Sequence, residues 1–86
     1  MARRPTHTMP DDVAAALDDA DLRDAYDQRP HYQRNDYIGW IMRAKSGATR
    51  RKRIVQMVDE LEKGGIYMGM AHPPSRREQG GRLFDT

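Results

Sequence analysis

Four consecutive cations, Arg50, Arg51, Lys52 and Arg53, lie between the turn-forming segment Ser46–Thr49 and an apolar run that starts at Ile54. Side chains of this kind can contact the phosphates of a nucleic acid or another anion. On a helical wheel with Ile54 at the origin, Arg50 falls at about −40° and Arg51 at about +60°, flanking the apolar stripe. Lys52 lands at about 160° and Arg53 at about −100°. The charges therefore spread around the helix and form no single cationic stripe. Cations in a first turn also oppose the helix dipole, so aspartates of the preceding helices are expected to compensate. The run reads first as a solvated, internally paired surface, and second as an anion or nucleic-acid contact.

Other residues with chemical potential lead to bland readings. His7, His31 and His72 have no further ligand three or four residues away on a helix, so no metal site is expected. His7 and His72 are expected to be solvent-exposed imidazoles. Asp18, Asp19, Asp21, Asp24 and Asp27 lack the central glycine and terminal glutamate of a calcium loop, and read as helix surface and caps. There is no cysteine, no local serine–histidine–acid motif, and no lysine–serine/threonine ending after the glycine pairs at 64–65 and 80–81. No catalytic residue and no cofactor are expected, so the chain reads as a non-enzyme. Trp40 and Tyr37 share an apolar stripe and read as core, whereas Tyr32 lies off it and reads as exposed. Because Arg50 and Arg51 straddle the buried stripe, a helix-turn-helix reader of DNA is disfavoured.

The elements that would position these residues are helices. Pro10, Asp11 and Asp12 open a short helix over about residues 10–18, with Val13, Ala16 and Leu17 on one face. A second short helix, capped by Asp18 or Asp19, places Leu22, Ala25 and Tyr26 together and stops before Pro30. From Pro30 to Lys45, Gln33, Tyr37, Trp40, Ile41 and Ala44 keep a 3.6-residue period; Gly39 lies within the helix and Gly47 ends it. Thr49 caps a fourth helix running to Lys63 before Gly64 and Gly65, with Ile54, Met57, Val58 and Leu61 inward. The segment Ile66–His72 shows no sustained period, and the proline- and glycine-rich end reads as disordered.

An 86-residue chain forms one domain at most, and its 37% hydrophobic content implies a thin core. Net charge is +2 overall, −1 over residues 1–45 and +3 over residues 46–86. That is too weak an asymmetry to announce a polyanion partner. With no secretory signal and no apolar run long enough for a membrane span, no membrane association is expected and the cytoplasm is the default location.

The stretches MPDDVAAAL, YIGWIMRAKSGATRRKRI and VDELEKG resemble the bacteriocin-protection, YdeI/OmpD-associated family. The resemblance covers roughly residues 9–65. It rests on Pro10, Asp12 and Leu17, on Tyr37, Trp40, Ile41, Ala44 and Lys45, and on Thr49, Arg50, Arg53, Ile54, Leu61 and Gly64. It implies a small all-helical domain and brings no catalytic residue. In longer members such a domain resembles a C-terminal appendage to a mixed α/β domain, which is not expected in these 86 residues.

The expected fold is all-α: a bundle of about four helices over residues 9–70, between a flexible N-terminus (1–8) and a disordered tail (71–86). Its core is expected to contain Val13, Leu17, Leu22, Tyr26, Tyr37, Trp40, Ile41, Ile54, Val58 and Leu61. The expected function is a non-enzymatic module that docks onto a protein partner, linked to bacteriocin or envelope-stress tolerance. Tyr32, Ile66, Tyr67, Met68 and Met70 are candidate partner contacts, methionine being adaptable at contact surfaces, and a homo-oligomer is one form the contact could take. The alternative is a small nucleic-acid binder acting through Arg50, Arg51, Lys52 and Arg53.

Overall fold

The computed structural model describes residues 6–76. Four helices come first: α1 (Asp11–Asp19), α2 (Arg23–Asp27), α3 (His31–Met42) and α4 (Gly47–Lys63). A minimal antiparallel hairpin follows, β1 (Ile66–Tyr67) and β2 (Met70–Ala71), and then a 3-10 turn over Pro73–Ser75. The protein is a small helical domain. α4 is its hub and packs against α1, α2, α3 and β1. Among the described residues no helix is long and apolar enough to cross a membrane.

The first helix ends in a way that composition alone did not suggest. Asp21 adopts a left-handed φ of 57°, its N–H donates to the Asp18 carbonyl, and the Leu22 N–H donates to the Leu17 carbonyl. This is a Schellman turn, with Leu17 and Leu22 both buried as its apolar contact. The aspartates expected to cap the second helix therefore terminate the first one. α2 starts three or four residues later than a cap at Asp19 or Asp18 implies, with Leu22 as N-cap and no side-chain cap bond.

α3 runs to Met42 and leaves Ala44 and Lys45 in the connection. Ser46 then caps α4: its Oγ accepts from the Thr49 N–H at 3.1 Å. Thr49, expected as the cap, is already inside the helix, and Gly47 opens α4 and does not end α3. The shift moves Arg50–Arg53 out of the first turn, which eases their conflict with the dipole.

The core is Val13, Leu17, Leu22, Tyr26, Tyr37, Ile38, Ile41, Ile54, Met57 and Leu61. Trp40 and Val58, expected inside, are only partly buried and pack against its edge. Ile38 is buried because α3 is covered on more than one side, and Gly39 shows part of the cover. A Cβ on Gly39 would come within 2.8 Å of the His7 imidazole, and the His7 N–H donates to the Asn35 side chain at 2.7 Å. His7 is thus docked on α3, not a free imidazole in a flexible N-terminus. The remaining N-terminal residues expected to be flexible, 1–5, lie outside the described residues.

The segment that lacked a period is the hairpin. Strands of two residues are too short to alternate visibly. Between them Met68 and Gly69 take φ values of 50° and 81°, as a two-residue type I′ turn requires. Ala71–Arg76, expected within the disordered tail, carry β2 and the 3-10 turn. There the Gly65 N–H donates to Ser75 Oγ, Ser75 Oγ donates to the His72 carbonyl, and His72 is partly buried. The rest of the tail lies outside the described residues.

Gly64 leaves α4 with φ 69° and ψ 165°, a backbone region open essentially to glycine alone. Replacing it by alanine (Gly64→Ala) is expected to destabilise the domain by about 1–3 kcal/mol in urea denaturation, without changing the helical circular dichroism of the folded protein.

Candidate functional site

The basic run divides into two pairs with different duties. Arg50 reaches across to α1 and grips Asp12 with two hydrogen bonds, Nε to Oδ2 at 2.7 Å and Nη2 to Oδ1 at 3.0 Å. The compensating aspartate therefore lies on the first helix, as expected. Arg53 turns back on α3: its Nη1 donates to the Trp40 carbonyl at 2.6 Å, and its guanidinium carbon sits 5.2 Å from the centre of the Trp40 ring. It thereby satisfies a carbonyl near the end of α3 and shields the indole's outer face. Arg51 and Lys52 remain exposed.

Arg51 and Lys52 belong to a second face of α4. Ala48, Arg51, Lys52 and Val55 recur at i, i+3, i+4 and i+7 around a shallow depression. Val55 is 66% exposed. The face combines apolar area with two cations that have no ion pair among the described residues.

The expected partner contacts separate in the same manner. Tyr32 is half exposed and Met70 is exposed, whereas Ile66, Tyr67 and Met68 are partly buried. The Tyr67 hydroxyl donates to Asp36 at 2.6 Å. Its ring meets those of Tyr32 and Tyr37 edge to face, with centroids 6.0 and 5.5 Å apart. Tyr67 and Met68 therefore serve the interior, and Tyr32 forms the outer end of an aromatic row.

Behind that row lies a polar interior that the hydrophobic pattern did not reveal. Glu60 on α4 is 4% exposed, and its carboxylate accepts four hydrogen bonds. Oε1 receives the Tyr37 hydroxyl at 2.5 Å and the Met68 N–H at 2.7 Å. Oε2 receives the Gly69 N–H at 2.8 Å and Gln56 Nε2 at 3.0 Å. Burial, reinforced by this carboxylate, raises the pKa of the Tyr37 phenol far above its ordinary value, so the hydroxyl stays a donor. On the other side, Arg29 Nη2 donates to the Glu60 main-chain carbonyl at 3.2 Å and Nη1 to Gln33 Oε1 at 3.3 Å. Gln33 was visible as a polar member of the α3 stripe. Glu60 carries a weaker signal, a carboxylate three residues after Met57 and next to Leu61, and Arg29 carries none. Among the described residues no group of three or more His, Asp or Glu side chains is placed to hold a metal ion.

The model of the family described as Bacteriocin-protection, YdeI or OmpD-Associated matches residues 6–64 of the chain. No curated protein and no solved structure matches.

Two predictions follow from the division of the basic run. Because Arg53 is tied to Trp40, Arg53→Ala is expected to cost about 1–2 kcal/mol of stability, while Lys52→Ala stays within about 0.5 kcal/mol. Urea titrations followed by Trp40 fluorescence separate the two. The Arg50 hydrogen bonds hold the Asp12 carboxyl below its ordinary pKa of 3.8. A depressed native pKa adds stability above the unfolded value, and this is lost as pH falls through the native one. Asp12→Asn should therefore lower stability slightly at pH 7, and the difference should shrink as pH falls through the native pKa and the parent carboxyl is protonated, as read by thermal melts across that range.

Proposed function

Because the chain belongs to the bacteriocin-protection, YdeI or OmpD-associated family, we propose that it works as a non-enzymatic helical module that docks onto another protein. The observation that supports this reading is the outer face of α4, where Val55 stands exposed between Arg51 and Lys52. An apolar residue flanked by two cations suits a partner surface that pairs apolar area with carboxylates. Tyr32 and Met70 offer a smaller secondary contact. The family description supports a role in bacteriocin tolerance; envelope stress as the wider setting and the cytoplasm as the site of action are further parts of the proposal. Nucleic-acid binding is the weaker reading, since Arg50 and Arg53 are already engaged inside the domain.

The test compares the protein with a Lys52→Glu/Val55→Asp variant as baits in native cell extract, with and without nuclease. Both substitutions lie on the exposed face, so the melting temperature should be unchanged within a few degrees. A partner that is retained by the parent, resists nuclease and is lost by the variant is the expected result. Equal capture by both baits would overturn the assigned surface. Capture that nuclease abolishes would move the function to nucleic acid through Arg51 and Lys52. Sedimentation at several concentrations identifies the case in which the partner is a second copy of the chain.

A further inference from the structure

We propose that the groove between α2, α4 and the 3-10 turn is a binding site for a carboxylate, held by the guanidinium of Arg29. The groove encloses about 360 Å³, and its walls include Asp24, Gln28, Arg29, Leu61, Ser75 and Arg76. This lies within the size range of small-ligand sites. It is remote in function from the α4 face described above and does not depend on it.

The argument starts from the state of Arg29, which lies just past the end of α2 and is 4% exposed. A guanidinium is always charged and carries five N–H donors. Its protein partners are two neutral oxygens, Gln33 Oε1 at 3.3 Å and the Glu60 main-chain carbonyl at 3.2 Å, both at the long end of hydrogen bonding. Among the described residues no carboxylate lies within ion-pair distance of it; the ion pairs there join Arg23 to Asp27, Arg50 to Asp12 and Lys63 to Asp59. The Glu60 carboxylate is occupied by Tyr37, Gln56 and the hairpin turn. A buried cation with no direct ion pair among the described residues is costly for a small domain to hold. The same position becomes an asset when an anion enters the groove it lines.

The remaining walls select the kind of anion. Arg76 adds a second positive charge and Gln28 an amide donor, while Leu61 supplies an apolar surface for the stem of an acid. Asp24 also lines the groove and repels a dianion more than a monoanion. The planar fork of arginine matches the two oxygens of a carboxylate. A monoanionic carboxylate is therefore favoured over phosphate. It can come from a free small acid or from the chain's own Glu78, two residues beyond Arg76.

Titration of the full-length protein with acetate at constant ionic strength, followed by NMR at the Arg29 Nε–H signal, tests the site. A saturable shift with a Kd on the order of 1–10 mM is expected, with inorganic phosphate binding more weakly at pH 7.5. Gln28→Glu changes only an exposed side chain, and should weaken acetate at least about fivefold by placing a like charge in the groove. Glu78→Gln separates the sources: affinity stays unchanged if the ligand is a free acid, and tightens about tenfold if Glu78 occupies the groove in the parent. Linear drift without saturation in both the parent and Glu78→Gln would overturn the proposal. So would equal responses to acetate, phosphate and chloride.

Discussion

A single buried carboxylate sets the terms on which this domain folds. Glu60 can be taken out of water only if its oxygens are satisfied, because an uncompensated buried charge costs several kcal/mol. Four donors satisfy it, from α3, from α4 itself and from the two amides of the hairpin turn. The turn in particular depends on the arrangement. Met68 sits at φ 50°, where asparagine or glycine is normal, and a two-residue hairpin is marginal by itself. The carboxylate gathers both turn N–H groups and so offsets the strain of placing methionine there. The hairpin is an extension of the helical core, fastened at its turn by Glu60 and along β1 by Tyr67.

That fastening also explains the order of the interior. Tyr37 presents its hydroxyl to Glu60, so its ring lies where Tyr67 can meet it edge to face. Tyr67 then fixes Asp36 through its own hydroxyl. On the reverse side, the Glu60 carbonyl receives Arg29, linking α4 to the end of α2. A thin apolar core of ten side chains is thereby supplemented by a connected set of polar contacts. Such networks specify one arrangement because any slip leaves a buried donor or acceptor without a partner.

Much of the helical scaffold was legible in the sequence, and the polar interior largely was not. Leu17, Tyr37, Ile41, Ile54 and Leu61 announced their burial through a 3.6-residue period, which is the direct signature of a one-sided helix. Ends were harder, since a cap is set by local geometry: Ser46 takes the role that Thr49 could have taken three residues later. Ile38 was hidden because α3 is covered on several sides, which a one-face pattern cannot express. Glu60 was hidden because a charged residue beside an apolar stripe looks the same whether it faces water or a partner distant in sequence, and Arg29 because it lies in a connection, where no period marks burial. The basic run shows the same limit. Four cations adjacent in sequence serve three purposes in space, one gripping Asp12, one covering Trp40 and two facing outward. Family membership, carried by the helical framework, fits this division: Arg50 and Arg53, which carry part of the resemblance, brace the scaffold, and Arg51 and Lys52 face outward.

Amide hydrogen exchange at Met68 and Gly69, resolved by NMR, addresses the role of Glu60 without altering the protein. If the buried carboxylate holds the turn, both amides should exchange about as slowly as the core amide of Ile41, through opening of the whole domain. Exchange at both positions near the rate of an unstructured peptide, with Ile41 still protected, would contradict the account and leave the hairpin as an ornament on an independently stable helical bundle.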